Sequence, residues 1–301
     1  MKIIVLPDSH SKPLWHYTSN KDGNVNKHLV PYDIANRRYD WFAQLVIDEI
    51  KSSRPGEKIV VIDLGDFADM KSLSSYDKNK RPSENERIQL DIDYARDARR
   101  RATQPVLAYI NKKRQWKEKV PRVRFVALGG NHENRWNRLK NDEPLWDIFD
   151  SIDDISGAVE QGWELYPFLE VVNINGVNFC HYFESGAKRL AISGATPGRT
   201  LVQKMHQSCV AGHLHEYHVH RESTALGTCI GLVAGCYMEA DEEYAGPQGN
   251  PRYWRGITVL EDVVDGNFND RKIPLEHIKQ RYHRKEQGAF NFYEISELDW
   301  S

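Results

Sequence analysis

The chain has 301 residues, with 41 Lys and Arg against 43 Asp and Glu and a formal net charge of −2. A molecule so nearly balanced is not drawn as a whole to nucleic acid or to an anionic membrane, so any basic surface must be local. No stretch is apolar for long enough to cross a bilayer, and the length suffices to bury a large core in one α/β domain.

Ile3-Ile4-Val5-Leu6 is a short β-rich run that reads as a buried strand. With Met1 it is too short for the apolar region of a secretory signal. Asp8-Ser9-His10 follows at its carboxyl end. Residues Ser11–Arg38 show no clean period and hold Gly, Pro and Asn, so they read as a long loop. From about Tyr39 to Ser52 the residues Trp41, Phe42, Leu45, Val46 and Ile50 follow helical spacing, and Arg54-Pro55-Gly56 closes the helix. Ile59–Leu64 is a second strand, with Gly65-Asp66 after it. Glu84 to about Arg101 reads as a charged helix, and Thr103 as the cap of another with Pro105 in its first turn.

Val123–Leu128 is a third strand, followed by Gly129-Gly130-Asn131-His132. Leu169–Ile174 and Val177–Cys180 flank Asn175-Gly176, a hairpin signal, and His181 ends the second arm. Cys209-Val210-Ala211 precedes Gly212-His213-Leu214-His215. Further strands are expected at about His218–Glu222 and Cys229–Ala234, and Gly256–Val264 with Phe268–Ile273 form a hairpin around Asp265-Gly266. The expected organisation is one domain over residues 1–280 and a polar tail over 281–301. Strands alternating with helices, then hairpin-rich sheet, predict an α/β fold of two packed sheets with helices outside. The four cysteines form no C-x-x-C pair. They read as buried free thiols in a reducing compartment, which implies a cytoplasmic location.

Five clusters rich in Asp, His or Asn therefore share one position, the carboxyl end of an apolar strand. Loops converge there while the sheet holds them rigid. Carboxylate oxygens, imidazole nitrogens and an amide oxygen make a borderline-hard donor set that suits Mn²⁺, Fe or Zn²⁺ without thiolate. Asp66, with two carboxylate oxygens, is placed to bridge two ions. Metals roughly 3.5–4 Å apart can clamp a phosphate and generate a nucleophile.

The blocks Asp8-Ser9-His10, Gly65-Asp66-Phe67-Ala68, Gly130-Asn131-His132-Glu133, His181 and Gly212-His213-Leu214-His215 stand in one order. In that order they resemble the calcineurin-like metallophosphoesterase superfamily over residues 8 to 215. Tyr182 stands after His181 where that family often has Gly, and placement at a strand end favours His181 over His206, His218 or His220. The resemblance implies a four-layer αββα sandwich of two mixed sheets. It implies one metal held by Asp8, His10, Asp66 and His215 and another by Asp66, Asn131, His181 and His213. It implies that His132 protonates the leaving oxygen or stabilises the phosphorane, and that Glu133 orients His132. The cofactors would be two divalent ions, Mn²⁺ first, with Fe, Zn²⁺ and Ni²⁺ as alternatives. Hydrolysis would proceed through a metal-bound hydroxide.

Three features bear on the substrate. The Ser11–Arg38 segment interleaves Trp15, His16 and Tyr17 with Lys12, Lys21, Lys27, Arg37 and Arg38, a mix that stacks bases and pairs phosphates, or else packs on its own body. Arg135 and Arg138 would share a helix face beside the metals and grip a non-scissile phosphate. Arg96, Arg99, Arg100, Arg101, Lys112, Lys113, Arg114, Lys117 and Lys119 are a basic concentration, read as a solvated helix face or, more sharply, a nucleic-acid groove. The expectation is a phosphodiester in a nucleotide or nucleic acid. A phosphomonoester, including phosphoprotein, is the alternative substrate, and a non-catalytic metal-binding interaction scaffold is the alternative class.

Overall fold

The run Ile3–Leu6 is apolar at every position because both of its faces are buried. In the computed structural model, which describes residues 1–19, 25–54, 56–74, 87–142, 154–225, 227–242 and 245–283, Ile3 and Val5 point into one apolar cluster and Ile4 and Leu6 into another. Parallel strands covered on both sides read this way.

In chain order the elements are β1 (Lys2–Leu6), β2 (Trp15–Ser19), β3 (Val25–Leu29), α1 (Tyr32–Ala35), α2 (Arg37–Lys51), β4 (Lys58–Asp63), α3 (Ile88–Gln115), β5 (Arg122–Leu128) and α4 (Asn134–Asp142). Then come β6 (Glu164–Tyr166), β7 (Val172–Ile174), β8 (Val177–Cys180), β9 (Glu184–Ser185), β10 (Leu190–Ala191), α5 (Pro197–Met205) and β11 (Cys209–Ala211). The last are β12 (Tyr217–Thr224), β13 (Gly227–Ala234), α6 (Gly246–Gly249), β14 (Gly256–Val264), β15 (Asn267–Pro274) and α7 (Leu275–His283).

One mixed sheet has the order β15-β14-β1-β4-β5-β6, and a second has the order β12-β13-β11-β8-β7. In the first, β1, β4, β5 and β6 run parallel. In the second, β8, β11 and β13 do. Val5, Ile62 and Leu128 from the first sheet meet Phe179, Val210 and Leu232 from the second in one shared core. The outer face of the first sheet packs on α2, α3 and α7 through residues such as Phe42, Val106 and Ile278. Leu201 of α5 covers the outer face of the second beside Cys209 and Val233. The fold is thus a mixed α/β arrangement of two facing sheets with helices outside. Among the described residues no helix is long and apolar enough to cross a membrane, and the four cysteines are free thiols.

Several local expectations change. Residues 11–38, of which 20–24 lie outside the described residues, are not one long loop. They hold the β2–β3 hairpin and α1, and α2 begins at Arg37. The hairpin escapes periodicity because it is mostly solvated and has no apolar run. Arg38 is buried and donates to the Ser9 carbonyl oxygen (2.7 Å), so it is internal to the fold and not a surface phosphate ligand. The two helices expected on either side of Thr103 are one, α3, with Pro105 inside it. An internal proline costs about 3 kcal/mol, which the unbroken buried stripe Ala98, Ala102, Val106 and Ile110 offsets. Thr103 is not a cap: its hydroxyl donates to the Arg99 carbonyl oxygen (2.8 Å) and accepts from Trp163 Nε1 (2.8 Å). Helix α7 reaches His283 and buries Tyr282, so 281–283 belong to the body. The rest of the tail lies outside the described residues, as do Lys21 and the expected helix start at Glu84.

The basic concentration divides: Lys112, Arg114, Lys117 and Lys119 are exposed on or just after α3, while others are paired. Arg99 is buried, and its Nη2 lies 2.6 Å from Asp63 Oδ2 at the end of β4. Arg101 pairs with Asp40 and Asp97, Arg100 with Asp97, and Lys113 with Glu118. The Arg99 guanidinium also stacks 3.6 Å from the Phe67 ring centroid. Removing one partner of a buried ion pair strands the other charge in the interior. Arg99→Leu is therefore expected to destabilise the fold by about 3–5 kcal/mol. The check is a urea denaturation midpoint, and a loss below that of an exposed pair, about 1 kcal/mol, would contradict it.

Candidate metal centre

Parallel neighbours end on the same side, so the segments after β1, β4 and β5 lie together, as do those after β8 and β11. The two sheets bring these ends face to face: Asp8 forms a bridge with Cys236, just past β13, and Tyr237 N–H donates to the Asp8 carbonyl oxygen (2.8 Å). Ser9 and His10 N–H both donate to the Asp66 carbonyl oxygen (3.2 and 2.9 Å), and Gly212 N–H to that of His181 (2.9 Å). His10, Asp66, His213 and His215 all adopt left-handed backbone conformations, with φ of 45°, 52°, 70° and 60°. Such angles are uncommon outside glycine and gather where a site dictates the backbone. Glycines clear the space around the carboxylates. A Cβ on Gly130 would lie 2.1 Å from Asp66 Oδ1, and one on Gly212 2.2 Å from Asp8 Oδ1.

The donors fall into groups whose ligand atoms lie within 4.8 Å of one another: Asp8, His10 and His215; Asp66, His181 and His213; and His10, Asp66 and His132. His206, His218 and His220 belong to none of them.

Hydrogen bonding sets each ring's tautomer. His181 Nδ1 faces the Leu64 carbonyl oxygen (2.9 Å), which only accepts, so Nδ1 carries the proton. Nε2 then points at Asn131 Oδ1 (2.9 Å) and Asp66 Oδ2 (3.3 Å). Three acceptors converging in this way need a cation between them. A proton satisfies the arrangement, and His181 is pushed up to about 10, burial being outweighed by Asp66 and Asp8. A divalent ion satisfies it equally.

The same holds across the centre. His10 Nδ1 faces Asp69 Oδ1 (3.2 Å), which turns its Nε2 to His215 Nε2 (3.2 Å). His215 Nε2 is also 3.2 Å from Asp8 Oδ2. The other oxygen, Asp8 Oδ1, is buried with no hydrogen-bond partner among the described residues. An orphaned buried carboxylate oxygen beside opposed imidazole nitrogens fits a metal ligand set and is costly otherwise. Burial and a charged His181 hold His213 down to about 4, and burial with the repulsion of His132 lowers His10. Burial opposes ionisation of Asp66, yet His181 and His132 hold it well below the usual carboxylate range.

Both oxygens of Asp66 have partners in the centre. Oδ1 accepts the His132 backbone N–H (2.8 Å), which leaves Oδ2 facing the imidazoles of His181 (3.3 Å), His132 (3.8 Å) and His10 (3.9 Å).

Glu133 does not orient His132. It accepts backbone N–H groups instead, Oε1 from Ala68 (2.7 Å) and Oε2 from Asp66 (3.1 Å) and Gly130 (3.0 Å), stapling the segment after β4 to that after β5. The carboxylate that holds His132 is Asp69, whose Oδ1 lies 2.8 Å from Nδ1, with the Asp69 carbonyl oxygen at 2.7 Å. Burial works against the imidazolium, but Asp66 and Asp69 raise His132 to about 8. Lys12 in turn spans Asp69 Oδ2 (3.1 Å) and Glu242 Oε1 (2.6 Å). Asp69 was legible only as a second carboxylate three residues after Asp66 in Gly65-Asp66-Phe67-Ala68-Asp69. The link from Lys12 to Glu242 spans too much sequence to read.

Asp66, Asn131, His132, His213 and His215 open into a cleft of about 1120 Å³, which Arg135 also lines. Arg135 Nη2 is 3.0 Å from His132 Nε2, and its Nη1 donates to the Asp69 carbonyl oxygen (2.9 Å). Arg138 is exposed and is not among the residues lining this cleft. One turn of helix separates the two arginines, and of the two only Arg135 lines the cleft. No family model matches the chain, and no curated protein matches it.

Proposed function

We propose that this chain is a dinuclear metal-dependent phosphoesterase of the calcineurin-like type, acting on a phosphodiester carried by a nucleotide or nucleic acid. The observation that carries the reading is the donor set itself: oxygen and nitrogen ligands from the carboxyl ends of two facing sheets gather into adjoining groups around Asp66 Oδ2, beside an imidazole that opens on a cleft. In this reading Asp8, His10, Asp66 and His215 hold one ion and Asp66, Asn131, His181 and His213 the other, with Mn²⁺ the metal of choice. Bound ions would polarise the phosphoryl group and supply the nucleophile.

The chain's own residues do the rest. Asp69 holds His132 at Nδ1, and Nε2 accepts from Arg135 Nη2 (3.0 Å) beside the cleft. Once a phosphoryl oxygen draws that guanidinium to itself, the imidazole is placed to give a proton or a charged hydrogen bond to the leaving oxygen. Arg135 lies alongside to neutralise a phosphoryl oxygen. The Asp8 and Asp66 carboxylates, cleared by Gly212 and Gly130, set the ligand positions, and Glu133 locks the two segments that carry Asp66 and His132. The test is a pair of esters with Mn²⁺ supplied: bis(p-nitrophenyl) phosphate is expected to be hydrolysed with a higher kcat/KM than p-nitrophenyl phosphate. The reverse order would move the assignment to a phosphomonoesterase. Inertness toward both, with metal bound, would leave a metal-binding scaffold.

A further inference from the structure

The β2–β3 hairpin is firmly rooted and openly displayed. At its base, Val30 N–H donates to the Leu14 carbonyl oxygen (2.9 Å), Tyr94 Oη donates to that of Val30, and Val30, Ala35 and Tyr94 form a small core with Leu14 and Ile34. Beyond that root the strands pair Trp15 with Leu29, Tyr17 with Lys27 and Ser19 with Val25. Directly opposed residues share a face, so Trp15, Tyr17, Val25, Lys27 and Leu29 make one surface. Tyr17 is 59% exposed, Val25 58% and Leu29 37%. A two-stranded hairpin is marginal in water unless it packs on something, and folding stability gives no reason to leave this face in solvent.

The same surface meets the metal centre. Trp15 and Tyr17 line the cleft that Asp66, Asn131 and His132 open into. Lys27 Nζ stands 4.1 Å from the Trp15 ring centroid and 6.0 Å from that of Tyr17. Trp15 Nε1 is buried with no hydrogen-bond partner among the described residues. Aromatic faces interleaved with an ammonium group suit a strand of alternating base and phosphate. On the cleft wall Asp241 is paired with Arg255, and Glu242 and Asp69 share the one ammonium of Lys12, while Lys71 and Arg135 add positive charge to the same lining.

We propose that the β2–β3 hairpin is the base-stacking wall of the cleft, and that the substrate is a single-stranded nucleic acid whose unpaired base lies on Trp15 and Tyr17 while the adjoining phosphodiester reaches the metal centre. The hydrolytic half rests on the function proposed above; the binding half does not.

The experiment separates them. Binding of a short fluorescein-labelled oligodeoxythymidylate to chelator-treated protein is read by anisotropy, alongside hydrolysis of bis(p-nitrophenyl) phosphate by Mn²⁺-loaded protein. Trp15→Ala and Tyr17→Ala are each expected to weaken binding about 5- to 150-fold, the range of one lost base stack. Trp15→Phe should keep most of the affinity, and all three variants should bind as much Mn²⁺ per chain as the unaltered protein, because neither residue is among the metal-ligand groups. Tyr17, being exposed, guards against a folding artefact at Trp15. An abasic strand of equal length should bind the unaltered protein as weakly as the base-bearing strand binds the variants. Affinity unchanged by the substitutions, equal affinity for the abasic strand, or no binding while ester hydrolysis persists would each overturn the stacking wall alone. Variant-sensitive binding without hydrolysis of either substrate would uphold it and overturn the phosphoesterase reading.

Discussion

Asp66→Ala is expected to strip both metals from the protein and reduce phosphodiester hydrolysis to background. Asp66 Oδ2 lies between the two ligand groups, 3.3 Å from His181 Nε2 on one side and 3.9 Å from His10 Nε2 on the other. Removing it takes a charge from both sites at once. It also releases His132, whose backbone N–H is held by Oδ1 (2.8 Å). Asp8→Ala, by contrast, removes a ligand from one group only and should mainly weaken one ion. Elemental analysis of the purified, folded variants reads the difference. Two ions retained in Asp66→Ala would refute the shared role.

His132→Asn is expected to keep both metals and lose kcat. Attack at phosphorus pushes negative charge onto the leaving oxygen. An alkoxide leaves poorly, so a proton or a cationic hydrogen bond there lowers the barrier, typically by about 10²–10⁴-fold. His132 suits that task because Asp69 Oδ1 and the Asp69 carbonyl oxygen hold its Nδ1 at 2.8 and 2.7 Å, which leaves Nε2, where Arg135 Nη2 stands at 3.0 Å, to meet substrate when that arginine turns to the phosphate. The loss should be smaller for p-nitrophenyl esters, whose leaving group hardly needs a proton, than for alkyl phosphodiesters. The measurement is kcat for two esters differing only in leaving-group pKa, with metal content checked. Equal losses would leave a charge-stabilising role without proton transfer. Loss of metal would make His132 a ligand, as its proximity to His10 and Asp66 also allows.

What could be read from the sequence follows from burial. Strands β1, β4 and β5 are covered on both faces, so their apolar runs stand out, and the polar residues that end them, Asp8, Asp66 and Asn131, are conspicuous by contrast. The structure brings Asp8 and Asp66 together with His10, His181, His213 and His215, and Asn131 against His181. The hairpin at Trp15–Leu29 left no such trace because its faces are mostly solvated. Thr103 and Pro105 suggest a break in what is one helix, α3, because local propensity carries no knowledge of the sheet it packs on. Glu133 was given the task of Asp69 because adjacency in sequence is a poor guide to adjacency in a tight turn. Backbone N–H groups claim Glu133, while Asp69 reaches His132 from another strand's end. Arg99 read as surface charge because its partner Asp63 lies 36 residues away.

The central claim is that two metal ions act together on a phosphodiester. It is tested most directly by titrating metal-free protein with Mn²⁺ while following bis(p-nitrophenyl) phosphate hydrolysis and bound metal in the same samples. Activity should rise with metal and level off when two ions are bound per chain. Saturation at one ion, or two bound ions with no hydrolysis, would contradict it.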